Sequence, residues 1–273
     1  MKAYTKYIEN VEGYTDVYLT VTTTQKIAGA ALAAEMKKLP NLVEHTNYLS
    51  KILEKYKKIY GFTSPIIAKN GSGGKLLVVI AGDRGLCGDL YPRIAKLANL
   101  HEEGYSEKIL VGKAGAKYLE EEGVKPTSIF DATQFNELFS YLFQKFANEY
   151  KSIDVIYTEP KTLVSIEPVF VNILSVIPVV QNEQIAETSG LPILASKEIE
   201  MVQVLVRELL LTSLYATSLK AAISELSART VAMESAASKT QEIIRKLGLD
   251  YFKDRRIFTT EKQLESFLVL KRT

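Results

Sequence analysis

An uninterrupted heptad repeat in the last third of the chain restricts the fold more than any other feature of the sequence. Between Val202 and Tyr251, apolar or small residues recur at alternating steps of three and four, and no proline follows Pro192. A repeat sustained over this many heptads is typical of a coiled-coil helix. At about 1.5 Å per residue the helix reaches ~75 Å, so we expect it to project from any globular domain. The repeat consists of Val202, Leu205, Leu209, Thr212, Ala216, Leu219, Ile223, Leu226, Thr230, Met233, Ala237, Thr240, Ile244, Leu247 and Tyr251.

The N-terminal part, residues 21–60, is also predicted to be helical. Its apolar residues recur at helical spacing in two stripes separated by Pro40, where we predict a break or bend because proline disrupts helix hydrogen bonding. Residues before 21 show no clear period. We expect the second stripe to face Leu219, Ile223 and Leu226 of the long helix. The first stripe is Ile27, Ala30, Ala31, Ala34 and Leu39, and the second is Leu49, Ile52, Leu53, Tyr56 and Ile59.

Between these helical parts, short apolar runs alternate with segments of helical composition. Continuous apolar runs are typical of buried strands. Their alternation with helices predicts an open α/β sheet with helices on its faces. The predicted strands are 75–81, 109–111, 153–157, a β-branched stretch at 163–180, and 191–195. The predicted helices are 91–100, 114–122 and 134–150, and the long helix is predicted to start near Ser196, a candidate N-cap.

Charge and cysteine content argue against several classes of function. The 273 residues contain 34 Lys and Arg and 32 Asp and Glu, a net charge of +2, which is unlike a general nucleic-acid binder. A single cysteine, Cys87, forms no internal disulfide, and two distant histidines argue against a zinc site or a Cys–His nucleophile pair. The most apolar stretch, 169–180, is shorter than the roughly 20 residues that a spanning helix needs. Since no secretory signal is visible either, we predict a cytoplasmic protein.

Two glycine-rich segments resemble phosphate-binding loops but lack their defining residues. The segment 82–88 follows a predicted strand and precedes a predicted helix, the location of a dinucleotide-binding turn. Its glycines are spaced G-x-x-G-x-x-G rather than G-x-G-x-x-G, and only Glu102 or Glu103 loosely supplies the acidic residue expected further on. The segment 71–75 is followed by Leu76 instead of Ser or Thr and leads into a strand. We therefore interpret 82–88 as a tight turn and 71–75 as a linker.

Neither the serines nor the acidic residues form a recognisable catalytic set. The serines of the long helix have no histidine in a nucleophile–base arrangement, and no pair of carboxylates stands out. A charge cluster, Lys253, Asp254, Arg255 and Arg256, lies towards the end of the long helix. Two interpretations of this cluster remain open: a solvated helix face, and a contact patch for an acidic partner, to which arginine is well suited.

Five motifs, taken in their order along the chain, resemble the gamma subunit of F-type ATP synthases. They are Thr24-Gln25-Lys26-Ile27, the turn Asp83-Arg84-Gly85-Leu86-Cys87-Gly88, the stretch S-A-R-T-V-A-M at 227–233, Leu249-Asp250-Tyr251, and Arg255. The resemblance extends from Thr24 to about Glu265. Four departures are visible. Residues 1–20 match nothing, and the alanine-rich segment 28–39 stands where the family usually has methionines and a basic Ser-Lys-Leu-Arg-Lys type run. The span up to Gly82 is shorter than usual, and Asp89 stands where a second glycine is common.

The resemblance implies an α/β fold in which N- and C-terminal helices form a long antiparallel coiled coil with an inserted open, Rossmann-like α/β domain. The N-terminal segment and coiled-coil helix would occupy residues 1–60. The inserted domain, or foot domain, would occupy 61–195. The long C-terminal helix would occupy 196–273.

The resemblance also implies a central rotor shaft that couples nucleotide turnover in a surrounding hexamer of alpha and beta subunits to rotation. Such a shaft is not itself an enzyme. ATP, ADP and magnesium belong to the partner subunits, and this chain is expected to bind no cofactor, metal or nucleic acid. Further expected partners are an epsilon-type subunit and a membrane ring or substitute machinery, which places the chain at the inner face of the cell membrane. The expected hexamer contacts are Thr24, Gln25, Lys26, Arg229, Lys253, Arg255, Arg256, Thr260 and Glu261, and the 82–88 turn becomes a docking feature of the foot.

Three alternatives remain open from the sequence. The first is a gamma-like subunit of a specialised F-type-like ATPase in a wall-less bacterium, driving motility or other machinery. The second is a nucleotide-binding α/β enzyme, which leaves the heptad repeat unexplained. The third is a coiled-coil scaffold or tether, which explains the repeat but not the ordered motifs.

Overall fold

Two helices form the N-terminal part of the structure. The computed structural model describes residues 5–60, 74–148, 150–162, 165–173 and 198–270. Helix α1 covers Thr5–Met36 and helix α2 covers Leu39–Tyr60. Pro40 is the second residue of α2, a first-turn position where its missing N–H removes no helical hydrogen bond. The predicted break at Pro40 is therefore confirmed.

Helix α1 begins at Thr5, well before Val21, where the helical period first becomes visible. Its first half is rich in β-branched and aromatic residues, whose helix propensity is modest. Most helical stability in proteins comes from tertiary packing rather than from propensity. Here Tyr7 and Val11 lie beside Tyr251 of the long helix, and this packing accounts for a helix that the period alone does not reveal.

Five strands form one sheet in the order β3-β2-β1-β4-β5. The first four strands are parallel, whereas β5 pairs antiparallel with β4. The predicted open α/β sheet is thus confirmed, although the three-residue β3 is too short to give a periodic signal and was not expected. The strands are β1 (Gly74–Ile80), β2 (Glu107–Val111), β3 (Ser128–Phe130), β4 (Tyr150–Pro160) and β5 (Ile166–Asn172). The predicted strand 191–195, the candidate N-cap Ser196 and positions 71–73 lie outside the described residues.

Side chains of β1 alternate between two cores, as the two-residue period of a strand requires. Leu77 and Val79 pack in a core with helices α3 (Leu90–Leu100) and α4 (Ala116–Glu121), the latter preceded by a 3-10 turn. Leu76, Val78 and Ile80 pack in a second core with α2, α5 (Phe135–Asn148) and the beginning of α6 (Glu198–Leu270). The sheet is therefore covered on both faces, which suits a mainly parallel sheet.

The predicted heptad repeat marks the packed face of α6. Every member of the repeat, from Val202 to Tyr251, is buried or half-buried. The partner segment differs from the expected one, however. Leu219, Ile223 and Leu226 pack with Leu32 of α1 and with Leu39 and Leu42 at the start of α2.

The expectation that residues 49–59 face this part of α6 is wrong, because the sheet core takes that segment instead. Leu53 is buried in the core that contains Leu76 and Val78, with Leu49 packed against it. Both segments are equally apolar, so the pattern could not distinguish which one meets which surface.

The first predicted stripe is confirmed only in part, because Ala31 and Leu39 pack against the cluster that contains Leu32. Ile27 is 66% exposed, and Ala30 and Ala34 are exposed as well, whereas Ala28 and Leu32 are buried. An alanine-rich run fits several helix registers equally well. The buried positions Ala28 and Leu32 therefore lie one residue after the predicted positions Ile27 and Ala31.

The chain forms two compact units, residues 1–29 with 229–273 and residues 30–228. In the first unit, Tyr7 and Val11 of α1 line a cavity of about 320 Å³ together with Gly248 and Tyr251 of α6. In the second unit, the sheet and its helices surround both cores. Among the described residues, no helix combines the length and the apolar character needed to cross a membrane.

Candidate functional site

The 82–88 turn connects β1 to α3 at the carboxyl end of β1, as predicted. Its first residue, Gly82, has φ of +81°, and a Cβ there would lie 2.7 Å from the Glu225 carboxyl carbon. Gly112, at the end of β2, has φ of +93°, and a Cβ there would lie 2.1 Å from the Gly82 carbonyl oxygen. Both positions therefore require glycine for conformation and for space.

Asp83 binds the turn to the ends of two neighbouring strands. Its carboxylate accepts hydrogen bonds from the backbone N–H groups of Lys113 and Ala132, both at 2.8 Å. Lys113 follows β2 and Ala132 follows β3. The Asp83 side chain therefore links the loops that follow β1, β2 and β3 at the same edge of the sheet. Charge-assisted hydrogen bonds of this kind are stronger than neutral ones.

A buried carboxylate of α6, that of Glu225, lies against the other side of the turn. Glu225 is 5% exposed, and its Oε1 accepts hydrogen bonds from the Arg84 backbone N–H at 2.5 Å and the Tyr91 hydroxyl at 2.8 Å. Burial raises the pKa of the Glu225 carboxyl, and the hydrogen bonds from Tyr91 and Arg84 only partly oppose that shift. No lysine or arginine side chain in the described part of the chain forms an ion pair with it.

Tyr91 and Cys87 complete the interior of the turn. The Tyr91 hydroxyl also lies within hydrogen-bonding reach of the Arg84 carbonyl, and burial together with the nearby Glu225 raises the pKa of the phenol. The buried Cys87 thiol donates towards the carbonyls of Arg84 and Gly85, each at 3.4 Å. The interior polar groups of the turn are thus satisfied by one another.

Two side chains of the turn point to solvent. Arg84 is exposed, and Leu86 is 63% exposed with φ of +66°. A bulky residue in this left-handed region is unfavourable by about 1–2 kcal/mol, so the surrounding contacts must hold it. An exposed leucine on a firmly held turn suits contact with another protein more than contact with a small solute.

Three backbone N–H groups at this edge of the sheet are already hydrogen-bonded and are not available to a phosphate. The backbone N–H groups of Arg84, Lys113 and Ala132 all donate to carboxylates of this chain, and those carboxylates would repel an anion. Within the described ranges, no cluster of His, Cys, Asp and Glu residues could hold a metal ion.

The end of α6, residues 252–268, presents both charged and large apolar side chains to solvent. Lys253, Arg255, Arg256, Thr260 and Glu261 are all exposed. The Thr260 hydroxyl donates to the Arg256 carbonyl at 3.0 Å, and Lys253 lies 3.8 Å from an Asp250 carboxylate oxygen. The exposed apolar residues are Phe252, Ile257, Leu264, Phe267 and Leu268.

The remaining predicted contact residues lie in the same compact unit as this end segment. Thr24 and Gln25 are half-buried and Lys26 is exposed, with the Thr24 hydroxyl donating to the Thr20 carbonyl at 2.8 Å. Arg229 is half-buried, and its Nε atom is buried without a hydrogen-bond partner among the described residues. The turn residues 83–88 belong to the other unit.

Sequence reasoning missed Glu225 and the exposed apolar residues of 252–268. Glu225 lies between the heptad positions Ile223 and Leu226. An acidic residue next to the packed heptad positions, which we call the seam, was the feature of the sequence that could have revealed it. Ser224 beside it is also buried and donates to the Thr158 carbonyl at 2.9 Å, so α6 is enclosed on several sides here. For residues 252–268, the corresponding feature was that most large apolar residues after Tyr251 no longer fall on heptad positions.

Along the chain, the fold has long helices before and after an α/β domain. A chain of the Euglena gracilis mitochondrial ATP synthase, solved by cryo-EM as OSCP, F1 and c-ring in rotational state 3, has this fold. It matches with a TM-score of 0.60 at 17% identity, over 98% of this chain and 93% of that one.

The sequence comparisons agree with the fold. A family model described as ATP synthase matches residues 8–261. The ATP synthase gamma chain of Ruminococcus albus is 27% identical over 218 residues, covering 75% of each chain. That of Thermosynechococcus vestitus is 26% identical over 306 aligned positions, covering 94% of this chain and 96% of the relative. The chain belongs to the ATP synthase family, as a gamma-type subunit that forms the central shaft of a rotary F-type ATPase.

Proposed function

We propose that this chain is a non-catalytic rotor subunit that transmits rotation to and from a hexamer of alternating alpha and beta subunits. Nucleotide and magnesium bind in those partners and not in this chain. An epsilon-type subunit and a membrane ring, or machinery that replaces the ring, bind the rotor as well. The chain then works in the cytoplasm, peripheral to the inner face of the cell membrane.

The surface of residues 252–268 carries this proposal. Five large apolar side chains on one helix end are each more than half exposed, which is unusual for a surface that stays in water. Arginines lie among them, and arginine is suited to bidentate hydrogen bonds with carboxylates of a partner. A shaft that turns inside a ring of subunits needs such a mixed surface at its end.

The 82–88 turn supports the non-catalytic part of the proposal. A nucleotide-binding turn needs free backbone N–H groups directed at the phosphates. Here Asp83 and Glu225 already accept from the N–H groups at this edge of the sheet. Arg84 and Leu86 of the same turn are exposed, so a partner subunit can reach them.

Purification of the tagged chain from its native cell tests the partner set. We expect alpha and beta subunits in equal amounts, with an epsilon-type subunit. Ring subunits in the same complex indicate a proton-driven rotor, whereas their replacement by other proteins indicates specialised machinery. Recovery of the chain without alpha and beta subunits, under conditions that retain other large complexes, would overturn the proposal.

A further inference from the structure

Glu225 is a buried carboxylate that accepts hydrogen bonds from the 82–88 turn and from the neighbouring Tyr91. It lies 141 positions along the chain from Arg84, whose N–H it accepts. Burying an ionisable group costs free energy unless specific partners compensate. No cation pairs with this carboxylate among the described residues, so its compensation comes from the turn.

The contacts between Glu225 and the turn are shaped on both sides. Gly82 leaves the space that the carboxyl occupies, since a Cβ there would meet all three carboxyl heavy atoms at 2.7–2.8 Å. Tyr91 contributes a hydroxyl that reaches both Glu225 and the Arg84 carbonyl. Glu225 therefore touches the first residue of the turn, a central residue, and the helix that follows.

The turn needs such support because its own backbone is strained. Leu86 has φ of +66°, and most of its side chain is exposed. Packing of the Leu86 side chain therefore does not offset the free-energy cost of this backbone conformation. Asp83 secures only the first part of the turn, towards β2 and β3. Glu225 holds the next residue of the turn, Arg84, from a different element.

We propose that Glu225 is a positioning residue through which the long helix α6 sets the shape of the 82–88 turn. The carboxyl fixes the Arg84 peptide and, through it, the outward direction of Arg84 and Leu86. Movement of α6 at this point and the shape of the docking turn are thereby linked. The role of this link inside an assembled ATPase rests on the proposed function; the link itself does not.

Cys87 provides a direct test, because it is the only cysteine and lies buried inside the turn. The rate at which the thiol reagent DTNB modifies the isolated full chain reports opening of the turn. In Glu225→Ala, which removes both hydrogen bonds, we expect modification at least about tenfold faster. In Glu225→Gln, whose carbonyl can still accept both hydrogen bonds, we expect a rate within about twofold of the original chain.

Leu53→Ala separates opening of the turn from general loss of stability. Leu53 is buried in the core on the other side of the sheet, so this variant is destabilised without touching the turn. The proposal requires that Glu225→Ala raise the modification rate far more than Leu53→Ala does at equal loss of melting temperature. Equal acceleration in the two variants, or equal acceleration in the Ala and Gln variants of Glu225, overturns it.

The assembled complex gives a second readout. Glu225→Ala should lower the rotation or proton movement obtained per ATP hydrolysed, and Leu53→Ala should not. If the original chain fails to capture alpha and beta subunits, the proposed function fails while the thiol result still stands. If the original chain captures alpha and beta subunits and coupling in Glu225→Ala is unchanged, the shape of the turn does not affect the partner subunits. The positioning role of Glu225 in the complex is then wrong.

Discussion

At position 82 the backbone has φ of +81°, and the space where a side chain would begin is occupied by the carboxyl of Glu225. At position 85, in the same turn, nothing lies within 4 Å of an added Cβ, and φ is not positive. Two glycines three residues apart thus have different roles. The first is required by the fold, and the second is required by neither space nor a positive φ.

Gly82→Ala should therefore destabilise the chain, whereas Gly85→Ala should not. The left-handed conformation alone costs a residue with a Cβ about 1–2 kcal/mol, and displacement of the Glu225 carboxyl adds to that. Urea unfolding of the two variants, followed by circular dichroism, measures the difference. Equal free energies of unfolding for the two variants would show that the close approach to Glu225 is not formed.

The raised pKa of Glu225 predicts a pH dependence of stability. Because the folded chain binds this proton more tightly than the unfolded chain, the contribution of Glu225 is complete below its ordinary pKa and is lost as the pH rises through the raised value. Arg84, Tyr91 and Asp83 are the charged or titratable groups that act on it. Glu225→Gln has no such proton. The stability of the original chain should therefore fall relative to that of Glu225→Gln as the pH rises above the ordinary pKa of a glutamate. Parallel pH profiles for the two chains would contradict the raised pKa.

At the scale of elements, the heptad repeat identified the packed face of α6 from Val202 to Tyr251, because each contact there follows from helix geometry alone. Pro40 likewise located the boundary between α1 and α2. The pairing of elements could not be read in the same way. Leu219 meets Leu32 rather than the residues near Leu53, since the sheet competes for the same apolar surface.

The candidate site also combines a feature that the sequence predicts with a contact that it does not predict. The 82–88 turn could be located from its glycines, which mark a strand-to-helix connection. Glu225 could not be assigned to it, because only folding brings residues 141 positions apart into contact. Period-based reasoning also treats residues outside the seam as solvated, so it passes over the exposed apolar residues after Tyr251.

Ile223→Asp tests the seam, with Ile27→Asp as a matched control. Ile223 is 2% exposed in the cluster with Leu32, and Ile27 is 66% exposed. An unpaired charge in the seam should cost about 3–5 kcal/mol, while the exposed position should change stability by less than about 0.5 kcal/mol. Thermal unfolding of both variants measures this. A similar melting temperature for the two would mean that Ile223 does not lie in a packed seam.

At the scale of the whole molecule, the two proposed contact surfaces belong to different compact units, with the 82–88 turn in one and residues 252–268 in the other. Arg255 and Arg256 are both exposed, and neither forms an ion pair in the described part of the chain. They are the clearest charges available to a partner at the helix end.

Reversal of both charges, Arg255→Glu with Arg256→Glu, should weaken coupling in the assembled complex without unfolding the chain. Arg245→Glu with Lys246→Glu is a matched control, because these residues are also adjacent, basic and exposed on α6. We expect lower torque or altered ATP turnover for the first pair only, with an effect that depends on ionic strength. Equal turnover and torque for both pairs of variants at all salt concentrations would show that Arg255 and Arg256 form a solvated helix face and not a contact patch.

The isolated chain should not bind ATP at micromolar concentrations. Three N–H groups at the edge of the sheet, those of Arg84, Lys113 and Ala132, donate to Asp83 or Glu225. A phosphate at these groups would have to displace carboxylates of the chain itself. Titration calorimetry with magnesium-ATP measures this, and the alpha/beta hexamer serves as the positive control. Saturable binding to the isolated chain would contradict its assignment as a non-catalytic shaft.

The contact of Leu32 with Ile223 also has a consequence for biosynthesis. The first helix leaves the ribosome long before the segment that covers its apolar face exists. At typical rates of synthesis, about 5–20 residues per second, the delay is roughly ten to forty seconds. Because contacts between distant parts of a chain also form slowly, the newly made protein must carry an uncovered apolar helix through this interval. Chaperones and neighbouring subunits therefore have their longest access to this protein at its N-terminal end, before α6 is made.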